Sequence, residues 1–169
     1  DPMKAPLQSL SIAGFRSIRR LPEFPMRQLN VLVGANGAGK SNFVEFFRML
    51  AAMFQDRLRG FVRAGGRADG FFFEGPRVTR EIHASLNFGG SQFRFVLAPV
   101  PGGEDLMVKE VGVLGAGASS WSVTQVSAYE AGVAAWDPAY SLFPAFKSRE
   151  GHVHEAVSSW VVYHFHDTS

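Results

Sequence analysis

The sequence predicts an α/β domain: a parallel core sheet around a glycine-rich loop, with an inserted antiparallel β-meander. Three observations carry this. Residues 29–33 form a mostly apolar run that reads as a buried parallel strand and leads straight into Gly34-Ala35-Asn36-Gly37-Ala38-Gly39-Lys40-Ser41. A helical pattern starts at Ser41, with Phe43, Phe46, Phe47, Leu50, Met53, Phe54 and Leu58 recurring at three- and four-residue spacing. Between about residues 78 and 126, alternating segments are separated by turn residues.

In chain order, Asp1-Pro2 ahead of Met3 is set aside as a cloning scar. Residues 7–13 alternate and predict a half-buried strand; Gly14-Phe15-Arg16-Ser17 predicts a turn. Pro22 and Pro25 punctuate the approach to the strand at 29–33. Gly60 is the expected stop of the long helix. The triplet Phe71-Phe72-Phe73 in a glycine-containing stretch reads as a loop with an apolar plug. Residues 78–88 and 92–97 alternate around Gly89-Gly90, a hairpin signal, and residues 106–114 and 121–126 supply a third and fourth strand. Residues 160–165 are apolar and β-rich, and are expected to return to the core sheet beside the strand at 29–33.

Composition sets the outer limits. The chain has 169 residues and 46% hydrophobic content, enough for one buried core and too much for a disordered segment. Sixteen Phe predict an aromatic core. The absence of Cys excludes a disulfide scaffold and Cys-based metal sites, and suits a cytoplasmic protein. No run of 18 apolar residues occurs, so no membrane partner is expected. The net charge of +2 hides an asymmetry: residues 1–80 hold 13 Lys/Arg against six Asp/Glu, and residues 81–169 hold four against nine. A basic first half suits a polyphosphate ligand. It also suits DNA, although no basic tract interleaved with aromatics is present.

The glycine-rich stretch fits the P-loop pattern G-x-x-x-x-G-K-S, and its chemistry requires those residue types. Glycines let the backbone curl so that successive N–H groups of residues such as Gly37, Ala38 and Gly39 point at phosphate oxygens. The following helix N-terminus adds free N–H groups and partial positive charge. Lys40 is placed to reach the β- and γ-phosphates, and the Ser41 hydroxyl to ligate Mg²⁺. The expected cofactors are therefore ATP and Mg²⁺.

The fuller string G-x-N-G-x-G-K-S-N, with Asn36 and Asn42, resembles the ABC-type ATPases of the SMC and RecF classes, in particular the OLD-like and RecF-like ones. Leu10-Ser11-Ile12-Ala13-Gly14-Phe15-Arg16-Ser17-Ile18 resembles the first strand and F-[RK]-S turn of that group, and the final ten residues resemble its terminal stretch. The resemblance implies that Arg16 approaches the nucleotide, ahead of Arg19 and Arg20. It implies that residues 3–169 are the N-terminal lobe of a split ATPase head, with a β-meander subdomain at about 78–126 and the C-terminal half absent.

Four of the five His fall at 152, 154, 164 and 166. On a strand His164 and His166 share a face, and Asp167 is adjacent, so a metal held by His166 and Asp167 is one reading of this stretch. The resemblance suggests instead that His166, Asp167 or Thr168 stands where these ATPases place the Q-loop Gln, with Gln125 as a rival. Walker B, signature and switch-His motifs are not evident after Ser41. The catalytic set is thus incomplete here, with Lys40 and Asp167 its only candidates. The expectation is ATP hydrolysis by a head completed by its C-terminal half, in a head-to-head homodimer, in DNA maintenance or phage defence. A non-catalytic nucleotide-dependent dimerisation module is the alternative. A GTPase fails on the missing N-K-x-D, and a small kinase on the β-meander.

Overall fold

The structure, a computed structural model, describes residues 6–55, 57–101, 104–125 and Val157. Strands β1 (Ser9–Phe15) and β2 (Ile18–Pro25) form a hairpin, followed by helices α1 (Lys40–Phe54) and α2 (Leu58–Ala64) and a 3-10 turn at Ala68–Phe71. Strands β3 (Ile82–Asn87), β4 (Gln92–Pro99), β5 (Leu106–Leu114) and β6 (Ser122–Gln125) complete it. All six strands lie in one sheet of order β2-β1-β3-β4-β5-β6, antiparallel at every pairing. The meander expected from alternation is therefore present, and it continues the β1–β2 hairpin rather than standing apart from it.

The core sits between α1 and one sheet face. Phe43, Phe46, Met49, Leu50, Met53 and Phe54 are buried on α1. They meet the alternate residues of the strands: Leu10 and Ile12 on β1, Ala84 and Leu86 on β3, Phe93 and Phe95 on β4. Aromatic rings join the layers. Phe46 lies edge-on to Phe15 at 5.6 Å and stacked over Phe95 at 6.4 Å, and Phe54 meets Phe93 at 5.5 Å. The opposite face carries polar residues such as Ser11, His83, Ser85 and Arg94, as an antiparallel sheet with one solvated side allows.

Three expectations change. Gly60 does not stop the long helix but lies inside α2. The stop is earlier: the Arg57 N–H reaches the Ala52 carbonyl at 2.8 Å, a 6→1 closure of the Schellman kind that ends α1 at Phe54. Leu58, expected on the long helix, is the first residue of α2.

The second change concerns residues 29–33, expected as a buried parallel strand. They are in no strand, and Leu29, Val31 and Val33 are 80%, 75% and 91% exposed; only Leu32 packs on the core. A parallel strand needs neighbours on its ladder, and the described residues supply none, so the sheet they form is wholly antiparallel.

The third concerns the sheet edge. Pro22 and Pro25 lie in β2 itself, not in a loop, which suits an edge strand. A register shift at Leu10/Ile12 and the Glu23 N–H bond to Ser11 Oγ at 2.9 Å blunt that edge further. The strand expected at 160–165 lies outside the described residues.

The phenylalanine triplet behaves as a plug. Phe71 and Phe72 are buried, Phe72 bridges Phe15, and the Phe73 N–H bonds the Gly14 carbonyl at 2.9 Å. An ionic clip ties α2 to the β4–β5 turn: Asp105 accepts from Arg59 at 3.1 Å and from Arg63 at 3.3 Å. Beside it, Arg67 pairs with Glu104 at 2.8 Å.

Candidate functional site: an open phosphate cradle at the start of α1

Residues 33–38 are exposed and precede α1 directly. Gly37 and Gly39 have φ of +84° and +86°, a region that only glycine enters without strain, and they produce the curl that the motif requires. A Cβ on Gly37 would meet nothing within 4 Å, so the demand there is purely conformational. The loop closes on itself through one bond, from the Ala38 N–H to the Ala35 carbonyl at 3.2 Å.

Gly39 is the N-cap of α1 and no side chain caps the helix. Its carbonyl accepts the first bond of the helix, from the Phe43 N–H at 3.0 Å. The N–H groups of Lys40, Ser41 and Asn42 are first-turn donors, for which the helix holds no carbonyl one turn back. No acidic residue lies in that first turn to neutralise its positive end.

Lys40 lies across this opening. Its ammonium donates to the carbonyl oxygens of Gly34 and Ala35, the latter at 2.7 Å. Three N–H groups are available on an ammonium, so one is left over. Nζ therefore already hangs over the loop, against weak neutral acceptors that an anion would outcompete. The Ser41 hydroxyl is exposed. An ammonium, uncapped N–H groups, an exposed hydroxyl and a loop free of side-chain obstruction fit a polyphosphate with its cation.

Two residues without a specific role in the sequence pattern, Ser17 and Glu45, join this site. The Asn42 amide donates to Ser17 Oγ at 2.6 Å, and a Cβ on Gly39 would lie 3.2 Å from that same oxygen. Glu45, on α1 three residues after Asn42, takes the Arg16 guanidinium at 2.6 Å. Arg16 also donates to the Gly70 carbonyl at 3.3 Å and lies 4.4 Å over the Phe71 ring. Its φ of +49° is left-handed, unusual for a non-glycine, and the Arg16 N–H bond to the Phe71 carbonyl at 2.9 Å supports it. The resemblance placed Arg16 at the nucleotide; here its guanidinium faces Glu45 and Phe71. No sequence pattern pairs residues 16 and 45 in advance.

The remaining candidates separate from this cradle. Asn36 lies in the turn at the crest of the loop. Gln125 is on β6, the sheet edge opposite β2, with β3, β4 and β5 between it and β1. His152, His154, His164, His166, Asp167 and Thr168 lie outside the described residues, and no group of three or more metal-ligating side chains occurs among the described ones.

A groove of about 910 Å³ lies on the polar face of the sheet and shares no residue with the P-loop. Its floor carries Glu81, whose carboxyl is held below the ordinary 4.5, first by the hydrogen bond from Lys109 and then, against some opposing burial, by the Lys109 charge and His83. These charges satisfy one another. The groove lacks a glycine-rich turn or a helix terminus, so the anion chemistry belongs to the exposed loop instead.

Residues 29–95 match the family described as "AAA domain, putative AbiEii toxin, Type IV TA system". The chain is 33% identical over 89 residues to the "DNA replication and repair protein RecF" of Anaeromyxobacter sp. (strain Fw109-5). That match covers 50% of this chain and 24% of the relative, so the chain spans about a quarter of the relative's length. With the P-loop geometry, these matches make residues 29–95 similar to an AAA-type domain, in a chain that resembles the N-terminal lobe of RecF/SMC-like ATPases.

Proposed function

We propose that this chain binds MgATP on residues 34–42 and serves as the N-terminal lobe of an ABC-type ATPase head of the RecF, SMC and OLD-like kind. The single observation that carries this is the open loop entering an uncapped helix with Lys40 poised across its mouth. Gly37, Ala38, Gly39, Lys40 and Ser41 would hold the phosphates through N–H groups and the ammonium, and the Ser41 hydroxyl would hold Mg²⁺. When bound, the cation withdraws charge from the phosphate oxygens. Lys40 exchanges its carbonyl acceptors for phosphate oxygens. Any contact of Arg16 with phosphate competes with Glu45 for one guanidinium.

Hydrolysis also needs a residue that orients water. Among the described residues Glu45 is the acid that contacts the F-R-S turn, and it is committed to Arg16. The catalytic remainder is therefore proposed to come from a C-terminal half with Walker B and signature motifs, within a head-to-head homodimer. The exposed apolar side chains of Leu29, Val31 and Val33 support this: they suit a core strand awaiting parallel neighbours. The setting in this reading is DNA maintenance or phage defence, with DNA as a partner, for which the relative's name as a DNA replication and repair protein is the support; the absence of Cys supports the cytoplasm as the location.

The test is MgATP binding and turnover by this chain, with Lys40→Ala as control. Saturable binding lost in Lys40→Ala, without turnover, supports the incomplete head. Robust turnover by this chain alone refutes it and turns attention to Asp167. The non-catalytic dimerisation module is favoured by the engagement of Glu45, and MgATP-dependent dimerisation with no turnover even after addition of the C-terminal half would establish it.

A further inference from the structure

We infer that Ser17 is a positioning residue of the phosphate cradle, acting through Asn42. The inference rests on the nucleotide-binding reading above and adds a residue outside the P-loop to it.

Ser17 Oγ touches the loop at two places. It accepts the Asn42 amide at 2.6 Å, and it lies over Gly39, where a Cβ would approach it to 3.2 Å. Gly39 is the last residue of the loop and Asn42 closes the first turn of α1, so one hydroxyl spans the junction whose N–H groups face an anion. A side-chain cap would ordinarily fix such a junction, and α1 has none. Ser17 supplies the restraint from outside the helix.

The support behind Ser17 is rigid. Its neighbour Phe15 is fully buried, and the chain at Arg16 is held by its N–H bond to Phe71, the ion pair to Glu45 and the ring of Phe71. Asn42 and Glu45 lie three apart on α1, so the same helix face is clipped twice to the same two-residue turn. A hydrogen bond from such a support restricts how α1 tilts relative to the loop, and this keeps the first-turn N–H groups convergent.

The test uses this chain, Mg²⁺ and a fluorescent ADP analogue, with thermal unfolding of each variant measured alongside. Ser17→Ala is expected to weaken binding about three- to tenfold, the size that one net hydrogen bond carries. Ser17→Thr, which keeps the hydroxyl, restores it. In an Asn42→Ala background, Ser17→Ala has no further effect.

Binding within twofold of wild type in Ser17→Ala, no rescue by Ser17→Thr, or an equal loss in both backgrounds overturns the inference. If wild type binds, Lys40→Ala does not, and Ser17→Ala is unaffected, only this inference falls. If wild type fails to bind, or Lys40→Ala binds equally well, the nucleotide reading falls and takes this one with it.

Discussion

Lys40 and Gly39 show how much one residue decides at this site. Lys40 is held by carbonyls of its own loop, neutral acceptors that phosphate outcompetes. Lys40→Ala should therefore reduce MgATP affinity at least tenfold while shifting stability by no more than about 1 kcal/mol, the scale of a solvent-accessible hydrogen bond at a half-buried position; titration and urea unfolding check the two parts. Gly39→Ala should cost more of both. Its φ is +86° and its new Cβ would press on Ser17 Oγ, so about 1–2 kcal/mol of backbone strain is expected, together with loss of binding. These residues were legible in the sequence because the motif is local. Glu45 was not, since its partner Arg16 is 29 positions away and only folding brings the two together.

Elements follow their periodicity where burial is uniform and depart from it where a boundary depends on a few bonds. The face of α1 was readable because Phe43, Phe46, Leu50, Met53 and Phe54 all meet the sheet. Phe46 touches rings of both β1 and β4, so Phe46→Ala should cost about 3–5 kcal/mol, measured as a lowered urea midpoint at unchanged slope. The end of α1 was misplaced because the stop is a backbone closure at Ala52 and Arg57, not a glycine. Asp105 holds two arginines of α2 while itself only 19% exposed. Those arginines are largely solvated, so Asp105→Asn should cost about 1 kcal/mol, and less at high salt, in the same unfolding assay.

At the scale of the whole sheet, the described residues leave one face filled and one polar, and the pH-sensitive group among them, Glu81, lies on the polar one. Glu81 has a lowered pKa, so the stability it contributes is complete above the ordinary 4.5 and is lost as pH falls through its depressed folded value. Glu81→Gln should flatten the acid limb of stability against pH, followed by denaturant titration at successive pH values: the variant is less stable than wild type at neutral pH, and the two converge as pH falls through the depressed folded value.

By itself the sequence determined the P-loop, the helix that follows, the β-meander and the likeness to RecF and SMC ATPases, because each is written in local spacing. Tertiary structure alone decided three things. The β1–β2 hairpin and the meander share one antiparallel sheet, residues 29–33 lie outside it with Leu29, Val31 and Val33 exposed, and the F-R-S turn is clipped to α1 through Ser17 and Arg16. An apolar run states that a segment is fit to be buried; whether a neighbouring strand is there to bury it is a fact about distant residues, which local pattern does not carry.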